Sequence, residues 1–125
     1  QFNGDTGANY SMRDIQTSLT TISGYSLTGA TFIGYPSVSG PLTTADTFGT
    51  TKVWIPNYAN TSNFKSLFMS TTAPSASTTD NQWGLKLTAG LWSSTAALTS
   101  FTLGINGTHN FVQYSNYTVY GVTGA

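Results

Sequence analysis

Apolar and polar residues alternate with a period of two in several short runs, and no run carries the i, i+3, i+4 stripe of a surface helix. Thr51, Val53 and Ile55 share one parity, with Lys52 and Trp54 on the other, until Pro56 stops the run. Phe64, Ser66 and Phe68 alternate against Lys65, Leu67 and Met69, so both faces are largely apolar, as in a central or interface strand. Trp83, Leu85 and Leu87 alternate with Gly84 and Lys86, which predicts that Trp83 enters the core with the two leucines. Phe101, Leu103 and Ile105 alternate with Thr102 and Gly104.

With turn-rich spacers between the runs, the pattern predicts about eight strands, near residues 17–23, 30–35, 49–56, 64–71, 81–88, 90–95, 97–105 and 110–121. The segment from Tyr10 to Leu19 has room for one helical turn. Strand number and spacing suit an all-β fold, a single β-sandwich of jelly-roll or Greek-key type spanning residues 1–125. Asn106-Gly107 is a type I′ hairpin signal. A strict two-residue register there sets Phe101 opposite Val112 and turns Phe111 to the other face. Either both faces are covered or a bulge resets the register, and both outcomes fit a subunit that buries surface against neighbours. Segments 71–81 and 34–49, rich in Ser, Thr, Ala, Gly and Pro, read as exposed loops.

Length adds that there is one domain, with material for a core: 125 residues, 38% hydrophobic. Charge changes the picture more. Only 6% of residues are charged, against about 25% in an ordinary soluble domain. Glu is absent; the acids are Asp5, Asp14, Asp46 and Asp80, and the bases are Arg13, Lys52, Lys65 and Lys86. A formal net charge of zero gives no electrostatic footprint for nucleic acid or an anionic membrane. Charge-poor surfaces also lack the repulsion that keeps copies apart, which favours association over a freely diffusing monomer. Cysteine is absent, which removes disulfides, Cys-based zinc sites and thiol chemistry. No stretch approaches the roughly 18 apolar residues of a membrane-spanning helix. The chain begins at Gln1 without Met, as expected of a processed N-terminus or a piece of a longer polypeptide.

Candidate chemistry is sparse. The four Asp form no local pair for acid–base work. A Ser-His-Asp triad would have to use His109, the only His, which follows the Asn106-Gly107 turn, and no Gly-x-Ser-x-Gly elbow occurs. Asn3-Gly4-Asp5-Thr6-Gly7-Ala8-Asn9 has the oxygen-rich look of a calcium loop but lacks repeated acids and a terminal Glu, so a plain turn is the better reading. No phosphate-binding loop is present, and no cofactor is expected. Glycosylation triplets begin at Asn60, Asn106 and Asn116, but a chain this rich in Asn, Ser and Thr generates them by chance. An enzyme is not expected. Aromatics are the remaining cue: Trp54 and Trp92 are the surface candidates, for a protein interface first and a sugar-stacking platform second.

Three ordered segments carry a resemblance. The run from Asn3 to Ser11 (Asn-Gly-Asp-Thr-Gly-Ala-Asn-Tyr-Ser), the run from Val53 to Thr61 containing Ile55-Pro56-Asn57-Tyr58-Ala59-Asn60 and followed by Lys65, and the closing Tyr117-Thr118-Val119-Tyr120-Gly121-Val122 resemble segments of tailed-bacteriophage virion structural proteins. Where that family commonly continues with Trp and His, this chain has Met12 and Arg13. The resemblance implies a virion component, whether capsid decoration, head fibre, or part of the tail or fibre apparatus. It implies partners in copies of the same chain, with a trimer expected from how phage appendages are built, and in a capsid or tail scaffold protein. It implies no catalytic residue. The alternatives are a carbohydrate-binding module that reads a host surface glycan, and a subunit of an extracellular filament.

Overall fold

A computed structural model of the chain describes residues 1–18, 20–35, 47–73, 83–104, 110–111 and 113–122. These residues form an all-β structure without helix, built on one open antiparallel sheet. Its strands are β1 (Tyr10–Ser18), β2 (Thr21–Ala30), β3 (Thr50–Trp54), β4 (Lys65–Thr72) and β5 (Trp83–Trp92), in the spatial order β2-β1-β5-β4-β3. The first hairpin therefore docks beside the last strand of a three-strand meander.

Five strands stand among the described residues where alternation predicts about eight. The predicted strands at 49–56 and 64–71 correspond to β3 and β4. Those at 81–88 and 90–95 are one continuous strand, β5, that runs through Gly90. The stretch 30–35 is not a strand, and 97–105 contributes a single bridge, Phe101 to Phe2. The described part of 110–121 is unpaired. Where a helical turn had room, Tyr10 to Ser18 is β1, and the predicted strand at 17–23 straddles the β1–β2 connection. That connection is Leu19-Thr20, without the Asn or Gly that marks a tight hairpin. The Asn106-Gly107 turn, His109, Asp46 and Asp80 lie outside the described residues, as does the Trp83 side chain.

The β1–β2 register shifts between Tyr10 and Ser11, so that Tyr10 faces Ala30 while Ser11 faces Thr28. Gly29 is the extra residue, at φ +65°, the left-handed conformation a glycine bulge uses. The β1–β5 register shifts between Gln16 and Ser18. There the Thr17 hydroxyl accepts a hydrogen bond from Leu85 N–H at 3.0 Å, within the gap.

One face of the sheet is covered. Tyr10, Met12, Asp14, Gln16 and Ser18 of β1, Leu67, Met69 and Thr71 of β4, and Lys86, Thr88 and Trp92 of β5 are buried on it. The apolar core gathers at the end where β1 starts and β5 stops: Phe2, Tyr10, Ala30, Ile33, Leu67, Met69 and Trp92. Segment 31–35 closes over the sheet at Gly90, where an added Cβ would lie 2.7 Å from both Cγ1 and the carbonyl oxygen of Ile33. Glycine is therefore the residue that admits this second layer.

The rest of the covered face is polar. Lys86 Nζ lies 3.0 Å from Asp14 Oδ2 with both side chains almost wholly buried. Among the described residues this is an ion pair without a hydrogen bond to either carboxylate oxygen. Tyr35, packed on Phe32, offers its ring to the same ammonium at 5.4 Å.

Candidate functional site

The two loops that carry the first two resemblance segments meet at one end of the sheet, and their side chains are used up in holding it together. Asn3 (φ 50°) and Gly4 (φ 69°) turn the chain. The Asn3 side-chain oxygen accepts from Thr99 N–H at 2.9 Å and Ser100 N–H at 3.1 Å, while its amide donates to the Ala97 carbonyl at 2.8 Å. Asp5 accepts from Gly7 N–H at 2.8 Å, from the Asn9 amide at 3.0 Å and from the Trp92 indole N–H at 2.7 Å. Those three donors, the indole first, hold the Asp5 carboxyl below its ordinary value. The Tyr10 hydroxyl accepts from Phe2 N–H at 3.0 Å and lies against the Phe2 and Asp5 carbonyls. Burial pushes this phenol up, keeping it a neutral donor.

The second loop is closed in the same way. Asn57 is at φ 50°, and Asn60 accepts from Ser62 N–H at 2.7 Å and Asn63 N–H at 2.9 Å. The Tyr58 carbonyl accepts from Leu98 N–H at 2.8 Å. Lys65, buried at the start of β4, donates to the Asn63 and Thr95 carbonyls at 2.8 and 3.1 Å. Segment 93–102 thus ties both loops together.

These groups answer one another rather than a ligand. The Asp5 oxygens that give the first loop its calcium-like look are occupied by Trp92, Asn9 and Gly7. No cluster of three metal-ligating side chains occurs among the described residues.

Trp92 is a correction to the surface reading. It is 3% exposed, stacked on Tyr10 at 6.3 Å and 16° and edge-on to Phe2 at 5.7 Å. Gly90-Leu91-Trp92 is the end of β5 rather than the start of a separate strand, and the even parity of that strand faces the core. Trp54 is where a surface residue was expected, at 53% exposure.

The opposite face of the sheet is open. β5 presents Leu85, Leu87, Ala89 and Leu91 on it. Register sets Ile15 beside Leu87, and runs a second row from Arg13 through Ala89 and Phe68 to Trp54. Ile15, Ile22, Trp54, Phe68, Leu85, Leu87 and Leu91 are all exposed there. This reverses the expectation that Leu85 and Leu87 enter the core: Lys86 and Thr88 take the covered side instead. Among the described residues, twenty large apolar or aromatic side chains are exposed against nine buried hydrophobic ones, the reverse of a finished monomer's balance. Arg13 and Lys52 are the charged residues of this face among the described strands, and no carboxylate accompanies them.

No family model matches the chain, and no curated protein or solved structure matches it.

Proposed function

We propose that the chain is a structural subunit of a tailed-phage virion, decorating the capsid or forming part of a head fibre or tail apparatus, and that it works by burying its open sheet face in an assembly. The open face carries this reading: a row of leucines on the central strand, flanked by Ile15, Phe68 and Trp54, has no role in a freely diffusing chain. Covering a large apolar side chain is worth about 1.5–3 kcal/mol when burial is complete. Six partly exposed ones supply several kcal/mol towards an association cost of roughly 4–15 kcal/mol. A partner sheet over this face would give the sheet-on-sheet packing of the β-sandwich that strand count alone predicts. The setting in a virion rests on the three ordered resemblance segments, two of which build the knotted end of the sheet.

Labelling the protein in intact particles tests the setting: density or gold label at a fixed place on the virion is the expected result, and its absence from purified particles rejects it. A glycan-binding module is the second reading, favoured by one observation, exposed Trp54 in a row with Phe68 and Arg13. A glycan array with wild-type protein and Trp54→Ala separates the two, since only the second reading predicts hits that the substitution abolishes.

A further inference from the structure

We propose that residues 113–122 of one copy lie across the open sheet face of a second copy, so that neighbouring subunits exchange C-terminal arms. The inference rests on the reading of the chain as an assembly subunit and names what covers its exposed face. Two unsatisfied surfaces stand in the same chain. One is the open face around Leu85, Leu87 and Leu91. The other is the arm, Gln-Tyr-Ser-Asn-Tyr-Thr-Val-Tyr-Gly-Val, whose Tyr114, Tyr117 and Tyr120 are 78%, 78% and 84% exposed and whose Val119 and Val122 are also exposed. The arm is rich in Tyr and Val, residues that favour strands, yet pairs with none among the described residues. Among the described residues both stay uncovered.

Length and charge select the arm over a second open face. Beyond the turn at 113–114, where Tyr114 has φ 70°, the eight residues 115–122 reach about 26 Å when extended, most of the length of ten-residue β5. Two open faces packed on each other would bring two sets of Arg13 and Lys52 into one interface with no carboxylate from the described strands to answer them. Residues 113–122 contain no Lys, Arg, Asp or Glu. Their tyrosines bring large apolar area, a polar tip, and ring faces on which a guanidinium or ammonium can rest.

The chain has no cysteine, so introduced thiols report without background. One preparation carries Leu87→Cys and a second, size-tagged preparation carries Tyr117→Cys; the two are unfolded together, refolded and oxidised. Arm exchange predicts a mixed disulfide between the two chains as the main product. It also predicts that removing residues 113–122 shifts the light-scattering mass to that of a single chain while the far-ultraviolet sheet signal stays. A Leu87–Leu87 product means face-to-face packing and overturns the proposal, as does a Tyr117–Tyr117 product. So does an intrachain bond in a chain carrying both Leu87→Cys and Tyr117→Cys, or wild-type protein that stays monomeric while the mixed cysteine preparations form no bond. Mixed disulfides in a protein absent from virions would reject the virion setting and leave arm exchange standing; virion-bound protein without them would do the reverse.

Discussion

Ile15 of β1 and Leu87 of β5 are direct cross-strand partners on the open face, 58% and 38% exposed, while their chain neighbours Asp14 and Lys86 form a buried ion pair on the other side. The sheet is thus apolar outward and partly charged inward at its centre. On the inward side the ammonium is met by Asp14 and the Tyr35 ring; on the outward side the proposed assembly is what would cover the leucine.

Leu87→Glu separates folding from assembly. The side chain is already partly in water, so single-chain stability should change by less than about 1 kcal/mol. Association should be lost. Thermal melting at low concentration and light scattering at high concentration read the two effects separately.

The inward pair behaves oppositely. Lys86→Met leaves the Asp14 carboxylate buried without its cation, which costs about 3–5 kcal/mol. Replacing both partners, Asp14→Leu with Lys86→Met, should recover most of that loss, because two apolar groups no longer need each other's charge. Urea denaturation of the four chains closes the cycle.

Gly90→Ala should destabilise by roughly 1–3 kcal/mol, since the new methyl meets Ile33 at 2.7 Å, including a backbone oxygen. Gly84→Ala is the control. Its Cβ would meet only the Thr17 hydroxyl, at 3.4 Å, and its midpoint should stay near wild type.

Acid should loosen the knotted end of the sheet first. Asp5 titrates below its ordinary value of 3.8 when folded, through the Trp92 indole, Asn9 and Gly7. A depressed folded value means the contribution is complete above the unfolded value and disappears as pH falls through the folded one. Melting temperature should therefore decline below about pH 4, with Trp92 fluorescence changing alongside. Asp5→Asn should melt lower at neutral pH and show a shallower acid decline.

Much of the meander was legible because β4 carries a conventional signal, with Leu67 and Met69 pointing inward, and because Pro56 and the small-residue spacers end the runs. β1 was not, since its inward parity holds Asp14, Gln16 and Ser18 while Ile15 points outward. Polarity read as a guide to the interior fails when an ion pair occupies the interior and leucines stand outside. The same inversion sent Leu85 and Leu87 to the wrong face. Trp92 was misplaced because Gly90 looked like a break, whereas it makes room for Ile33 within an unbroken strand. Trp54 is exposed, together with every other residue of edge strand β3.

The pairing of Gln1 with Thr102 has a mechanical side. Their backbones exchange bonds in both directions, and Asn3 N–H to the Ser100 carbonyl adds another. Load applied at Gln1 therefore passes into 100–102 rather than into the sheet edge. That segment leads towards the arm. A tether holding the subunit by its first residues would therefore load 100–102 before any strand of the sheet is unzipped.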